Sequence, residues 1–268
     1  MNPVMHRWAV RGLKAFIGLG LVIWLGAWLI AGKVPQKAVN TLNQAFLTQS
    51  KKAGFEVAQI LVEGRDNASK HVIKGLINTQ KGDPLFAFDP HGAQKQIERI
   101  SWVKSAKVSR RWPDTIHIDI TERRPLAWFE HDNHKRILID KDGVRLTGER
   151  LQRFAHLPVV YGDGARESAD TLLQLVMREP VIAKRLRAAQ HIANRRWDLI
   201  LDNGIRVRLP AEGVPLALRR LAQAHEQRAI LDKDLKRIDM REEDRIIVRT
   251  APGDVQNYKA GYTARDAI

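Results

Sequence analysis

The stretch SRRWPDTIHIDITERRPLAWF, Ser109 to Phe129, restricts the architecture more than any other part of the chain. Ile116, Ile118 and Ile120 alternate with His117, Asp119 and Thr121, the period of a half-buried antiparallel strand with its polar residues facing outward. A proline stands close to each end. Pro113 holds φ at about −65°, which excludes it from the positive-φ position of a two-residue type I′ or II′ hairpin turn. The turn from Arg111 to Thr115 must therefore be wider. Pro125 has no N–H to give a ladder, so pairing lapses or changes partner there. One sheet ends before Pro125 and another begins after it.

Upstream, Phe55 to Glu63 reads as a strand with Ala58, Ile60 and Val62 on one face. Ser69 can cap a helix through about Asn78, with Val72, Ile73, Leu76 and Ile77 as its apolar stripe. Gly82-Asp83-Pro84 breaks that helix. Asp89-Pro90 supplies a cap acceptor and a proline at the first helical position, opening a second helix that buries Ala93, Ile97 and Ile100. With the strand Trp102 to Arg111, the order is β-α-α-β-β. Downstream, Asp142-Gly143 and Asn203-Gly204 sit between short alternating runs and predict hairpins. Ser168 to Met177 and Pro215 to about Ile230 have helical periodicity. Leu235 to Met240 and Arg245 to Thr250 read as the last strands, and 251–268 as a polar, flexible tail.

The N-terminus sets the compartment. Ala15 to Gly32 carries no charge over a length that spans about 27 Å as a helix, close to the hydrocarbon thickness of a bilayer. Arg7, Arg11 and Lys14 precede it, which keeps the tail 1–14 inside. A cleaved signal peptide has a shorter apolar region and an Ala-x-Ala site; this run closes on Leu29-Ile30-Ala31-Gly32-Lys33. An uncleaved type II anchor is expected, with 33–54 a partly helical linker and the bulk outside the cytoplasm. The formal charge of +15 then faces lipid, wall polymer or protein, which argues against nucleic acid. The chain has no cysteine, so thiol catalysis and Cys-ligated zinc are excluded.

Several motifs carry a resemblance. W102-V-K-x-A-x-V-x-R-x-W-P-D-T-I-x-I-x-I-x-E-R-x-P-L-A-W128, R196-W-D-L-x-L-D-N-G-I-x-V-x-L-P210 and I238-D-M-R241, following one anchor, resemble the FtsQ/DivIB family. The resemblance implies an α+β fold: a single transmembrane helix, a small POTRA domain at 55–123, and a β-rich domain with interspersed helices at 124–250. It also implies a non-enzymatic scaffold that joins early cytoplasmic and late periplasmic division proteins at the septum, chiefly through FtsB and FtsL type partners. In the family a partner adds a strand beside the final strand of the second domain. Edge addition takes affinity from backbone bonds and selectivity from flanking side chains. The candidate partner-binding residues are therefore Arg195, Arg196, Arg241, Arg245, Ile246, Ile247, Val248 and Arg249. Arginine there can pair bidentately with partner carboxylates. The terminal strand is expected to be an edge, either open to a partner strand or covered by the tail or a neighbouring helix.

Other motifs lack what their chemistry requires. His131-Asp132-Asn133-His134 has metal-ligand residue types but lacks a third ligand at a recognisable spacing. Gly162-Asp163-Gly164 is glycine-rich, yet no Gly-Lys-Ser/Thr follows it. No catalytic residue, cofactor, metal or small-molecule substrate is expected. The arginine pairs Arg110-Arg111 and Arg123-Arg124 are either solvated turn residues or a docking surface. Two other functions compete: a periplasmic chaperone or secretion module using its POTRA domain, and a basic protein binding envelope polymer. The first lacks any outer-membrane barrel pattern. The second predicts steep loss of affinity with salt.

Overall fold

The computed structural model describes residues 36–131 and 135–250, and the backbone of 255–259. The run Ala15 to Gly32 lies outside the described residues, and among those described no helix is long and apolar enough to cross a membrane. The 33–54 linker contains one continuous helix, α1 (Gln36–Lys52). After it come β1 (Gln59–Glu63), α2 (Lys70–Leu76), a 3₁₀ turn (Leu85–Ala87), α3 (Pro90–Ile97), β2 (Val103–Arg111) and β3 (Thr115–Glu122). This is the expected β-α-α-β-β order. The three strands form one sheet in the order β1-β3-β2.

The described residues divide into two compact units. The first comprises 36–63, 77–94 and 107–118. Within it Leu85 and Ile116 are fully buried, and Arg110 is tied down, its guanidinium donating to the carbonyls of Phe86 and Phe88. Trp112-Pro113-Asp114 forms the connection between β2 and β3, wider than two residues as Pro113 requires. His117 departs from expectation: it is buried, and its Nε2 lies 3.0 Å from Glu63 Oε2 of β1. β3 is the central strand, so a side chain on its polar face has neighbours from β1, and alternation alone does not make it exposed. α2 departs too, since Ile73 and Ile77 are buried but Val72 is 47% exposed. A short helix buries a narrower stripe than its sequence offers.

The second unit comprises 64–76, 95–106 and 119–259. Within it one carboxylate gathers several donors. Glu122, at the end of β3, accepts hydrogen bonds from the backbone N–H groups of Asp66, Asn67 and Ala68 and from the Asn67 side chain, all at 2.7–2.9 Å. Partial burial alone would raise its pKa. The Ala68 N–H, the Asn67 side chain and the other two N–H groups outweigh burial and hold the carboxyl below its ordinary 4.5. Next to it, Arg123 donates to the buried Asp140 at 2.8 Å. Asp140 also accepts from the N–H groups of Asp142 and Val144, fixing the turn that follows it. Arg110 and Arg123 are thus internal fasteners, whereas Arg111 and Arg124 are exposed.

β4 (Pro125–Glu130) opens a ten-stranded sheet, so the chain changes sheets where Pro125 predicts. The other strands are β5 (Arg136–Asp140), β6 (Arg145–Leu146), β7 (Val159–Tyr161), β8 (Leu186–Ile192), β9 (Arg196–Leu201), β10 (Arg206–Arg208), β11 (Arg237–Asp239), β12 (Arg245–Arg249) and β13 (Val255–Lys259). Their order is β13-β12-β11-β10-β9-β8-β7-β4-β5-β6. Both predicted hairpins are present. Each closes through an N–H of the glycine, Gly143 to Asp140 O and Gly204 to Leu201 O, both 3.0 Å. Each places that glycine at positive φ, 72° and 84°. This is a turn followed by a left-handed residue, the geometry of a three-residue loop with a bulge.

Helices α4 (Ala165–Met177), α5 (Pro180–Ala183) and α6 (Val214–Arg228) complete the unit, α4 lying against β4, β7 and both other helices. α4 begins three residues before the expected Ser168, because Gly164 (φ 67°) occupies its N-cap and Ala165 is already buried. The core joins Ala169, Leu172, Leu173 and Val176 of α4 and Leu218 and Leu221 of α6 to Leu199, Val207, Ile238, Ile246 and Val248 of the sheet.

Candidate partner-binding surface

The largest correction concerns the last strand. The segment read as a polar, flexible tail supplies β13, which pairs antiparallel with every residue of β12, from Arg245 with Lys259 to Arg249 with Val255. β12 is therefore not an edge. The sequence Val-Gln-Asn-Tyr-Lys has no alternation that would announce a strand; its pairing follows from the open backbone of β12.

Hydrogen bonds to the neighbouring strands fix which way that backbone points. Arg206 N–H donates to Lys236 O and Met240 N–H to Arg208 O, so Ile238 and Met240 face β10, while Lys236 turns its carbonyl to β10 and its N–H to Arg249 O of β12. Arg237 and Asp239 then face β12, where their register partners are Arg249 and Ile247. The backbone groups of Ile246 and Val248 are left to face β13. Their side chains point into the core, 3% and 0% exposed, while Ile247 is half-buried on the opposite face.

The arginines separate into two groups. Arg196 begins β9, Arg241 follows β11 and Arg245 begins β12, which brings these three to one end of the sheet by register. Arg195 is exposed in the preceding turn, where Ala193 and Asn194 both have positive φ. Arg249 lies at the other end of β12. Arg241 clamps Asp239 bidentately, Nε to Oδ1 at 2.8 Å and Nη2 to Oδ2 at 2.7 Å. Burial alone would raise the Asp239 pKa, and the Arg241 bonds more than reverse it. A clamp satisfied inside the chain is a poorer receptor for partner carboxylate. Arg245 is exposed and pairs with Glu242 at 2.8 Å and Asp244 at 3.2 Å.

Register also reveals residues that the sequence did not mark. Arg206, Arg237 and Arg249 are successive cross-strand partners on β10, β11 and β12, so three guanidiniums share one row. Desolvation, then the like charges of Arg208 and Arg249, pull the Arg237 pKa down. Arg208 and Arg206 approach the buried Asp198 at 3.9 and 3.5 Å. Like charges in a row are unfavourable alone and attract carboxylate. The repeat Arg206-Val207-Arg208 was the available signal, but only the register brings Arg237 and Arg249 beside it.

The remaining motifs have structural roles where they are described. A Cβ on Gly162 would meet His191 O at 2.2 Å, so that glycine serves a close approach of loop to β8. His191 stacks on Trp197 at 4.4 Å and bonds Asp163 O. Of His131 to His134, only His131 is described; among the described residues no group of three potential ligands could hold a metal ion.

Two family models match the chain. Residues 55–123 match the POTRA domain of the FtsQ type, and 127–241 match the C-terminal domain of the cell division protein FtsQ/DivIB. The second match ends at Arg241, before β12. The chain is 33% identical over 236 residues to the cell division protein FtsQ of Caulobacter vibrioides, covering 88% of this chain and 76% of that protein. It is 31% identical over 218 residues to that of Agrobacterium fabrum, covering 81% and 68%. With that of Rickettsia conorii it shares 27% over 236 residues, 88% of each.

Proposed function

The chain belongs to the FtsQ/DivIB family of cell division proteins, and from that premise we propose that it is a non-enzymatic scaffold of the division apparatus. In this reading Ala15 to Gly32 anchors it in the inner membrane as a single-pass type II protein. A POTRA domain at 55–123 and a β domain at 124–250 stand in the periplasm, enriched at the septum. It links early cytoplasmic to late periplasmic division proteins through partners of the FtsB and FtsL type.

The observation that carries the binding mode is the backbone of β12, which accepts a full five-residue antiparallel strand. An FtsB-type strand adds to β12 by displacing β13, using the outward groups of Ile246 and Val248. Arg195, Arg196 and Arg245 at one end, and Arg249 with Arg206 and Arg237 at the other, draw its carboxylates. Deleting 251–268 tests this. The shortened chain should bind the partner's periplasmic segment about tenfold more tightly, the equivalent of roughly 1.4 kcal/mol of pairing no longer displaced. Weaker binding would mean that the partner extends β13 instead. Unchanged binding would move the contact away from this edge.

A further inference from the structure

α1 presents an apolar stripe that nothing among the described residues covers. Val39, Leu42 and Phe46, spaced three and four apart, fall on one face and are 42%, 71% and 55% exposed. The stripe runs into an aromatic cluster within the same unit. Phe46 lies 5.5 Å from Phe86, and Trp112 packs edge-on against both Phe55 and Phe86 at 5.7 and 5.8 Å. Trp112 is nonetheless 70% exposed. A soluble surface does not ordinarily leave a leucine, a phenylalanine and a tryptophan together in water.

Two features identify what covers it. Only residues 33–35 separate the apolar run ending at Gly32 from the first residue of α1, a reach of about 10 Å even when fully extended. α1 also contains no acidic residue; its charges are Lys37, Lys51 and Lys52, and Arg111 stands exposed beside Trp112. Of the acids beside the cluster in sequence, Asp114 accepts a hydrogen bond from Thr115 Oγ1, and Glu56 is half-buried. Exposed Trp, Phe and Leu among lysines are the composition of a helix that lies in the headgroup region of an anionic bilayer.

We propose that the Val39-Leu42-Phe46 stripe and Trp112 form a lipid-docking patch, seating the first unit on the outer leaflet of the membrane that the anchor spans. The inference rests on reading Ala15 to Gly32 as that anchor. Docking fixes the direction in which the chain leaves the bilayer.

The chain has no cysteine, so Leu42→Cys introduces a unique thiol on an exposed position. The full chain, labelled there with an environment-sensitive fluorophore, is placed in nanodiscs of phosphatidylglycerol and phosphatidylethanolamine. Leu216→Cys on α6, 58% exposed, is the control. The Leu42 probe should be quenched several-fold more by nitroxide lipid, and less by iodide, than the Leu216 probe. Replacing Phe46 and Trp112 with serine should erase the difference. A chain retained in the disc whose Leu42 probe is as open to iodide as the control overturns docking alone. Protection seen in cells but not in nanodiscs assigns the patch to a protein and overturns lipid docking. A chain released from membranes by alkaline carbonate overturns the anchor, and docking with it.

Discussion

Glu122 and Asp140 show how single carboxylates hold this chain together. Four donors converge on Glu122, and its charged form is the one they stabilise. Glu122→Gln should cost about 2 kcal/mol, within the range for a charge-assisted hydrogen bond lost in a partly buried site. Because the folded-state pKa lies below the unfolded one, this stability is complete above the unfolded pKa and is lost as pH falls through the folded value. Wild-type thermal stability should therefore fall on acidification below about pH 4.5, and the Gln variant should lose less over the same interval. Equal acid sensitivity in both would place the titration elsewhere. Asp140→Ala strands Arg123 and removes both turn acceptors, and should cost about 3 kcal/mol or more by chemical denaturation. Replacing His131 and His134 together with alanine should leave division unaffected; loss of division at normal abundance would revive a metal or catalytic role.

At the scale of elements, β12 separates backbone from side-chain recognition. Val248→Pro removes an N–H that faces β13, whereas Ile247→Pro removes one that faces β11 within the sheet. The first should abolish partner capture with the circular dichroism spectrum retained, and Val248→Ala should weaken capture only modestly. The second should destabilise the domain itself. Capture that survives Val248→Pro in a folded chain would refute strand addition at β12. Much of this architecture was legible because its signals are local: Asp142-Gly143 and Asn203-Gly204 each carry their own turn, and Pro125 by itself forbids continued pairing. What was not legible depends on neighbours distant in sequence. Alternation assigned His117 to a face without showing that β1 covers it. Nothing in Val255 to Lys259 announces a strand, because the template is β12. The row Arg206, Arg237 and Arg249 exists only through register, and the clamp of Arg241 on Asp239 leaves no mark in the sequence.

The proposed scaffold is tethered to the membrane, receives a strand on its terminal sheet and favours acidic partners through its basic surface. Type II topology predicts that a periplasmic reporter fused after Gly54 is active and a cytoplasmic one silent; the reverse, or a mature chain beginning near Lys33, would remove the anchor. A secretion or chaperone module and a polymer-binding protein would share that topology, so topology alone does not separate them from a division scaffold. Position in the cell does. The most direct measurement is the fluorescence profile of a full-length fusion, labelled at its N-terminus, along the axis of dividing cells. A division scaffold should form a band at midcell before constriction begins; fluorescence spread evenly around the envelope at every stage of division would contradict that role.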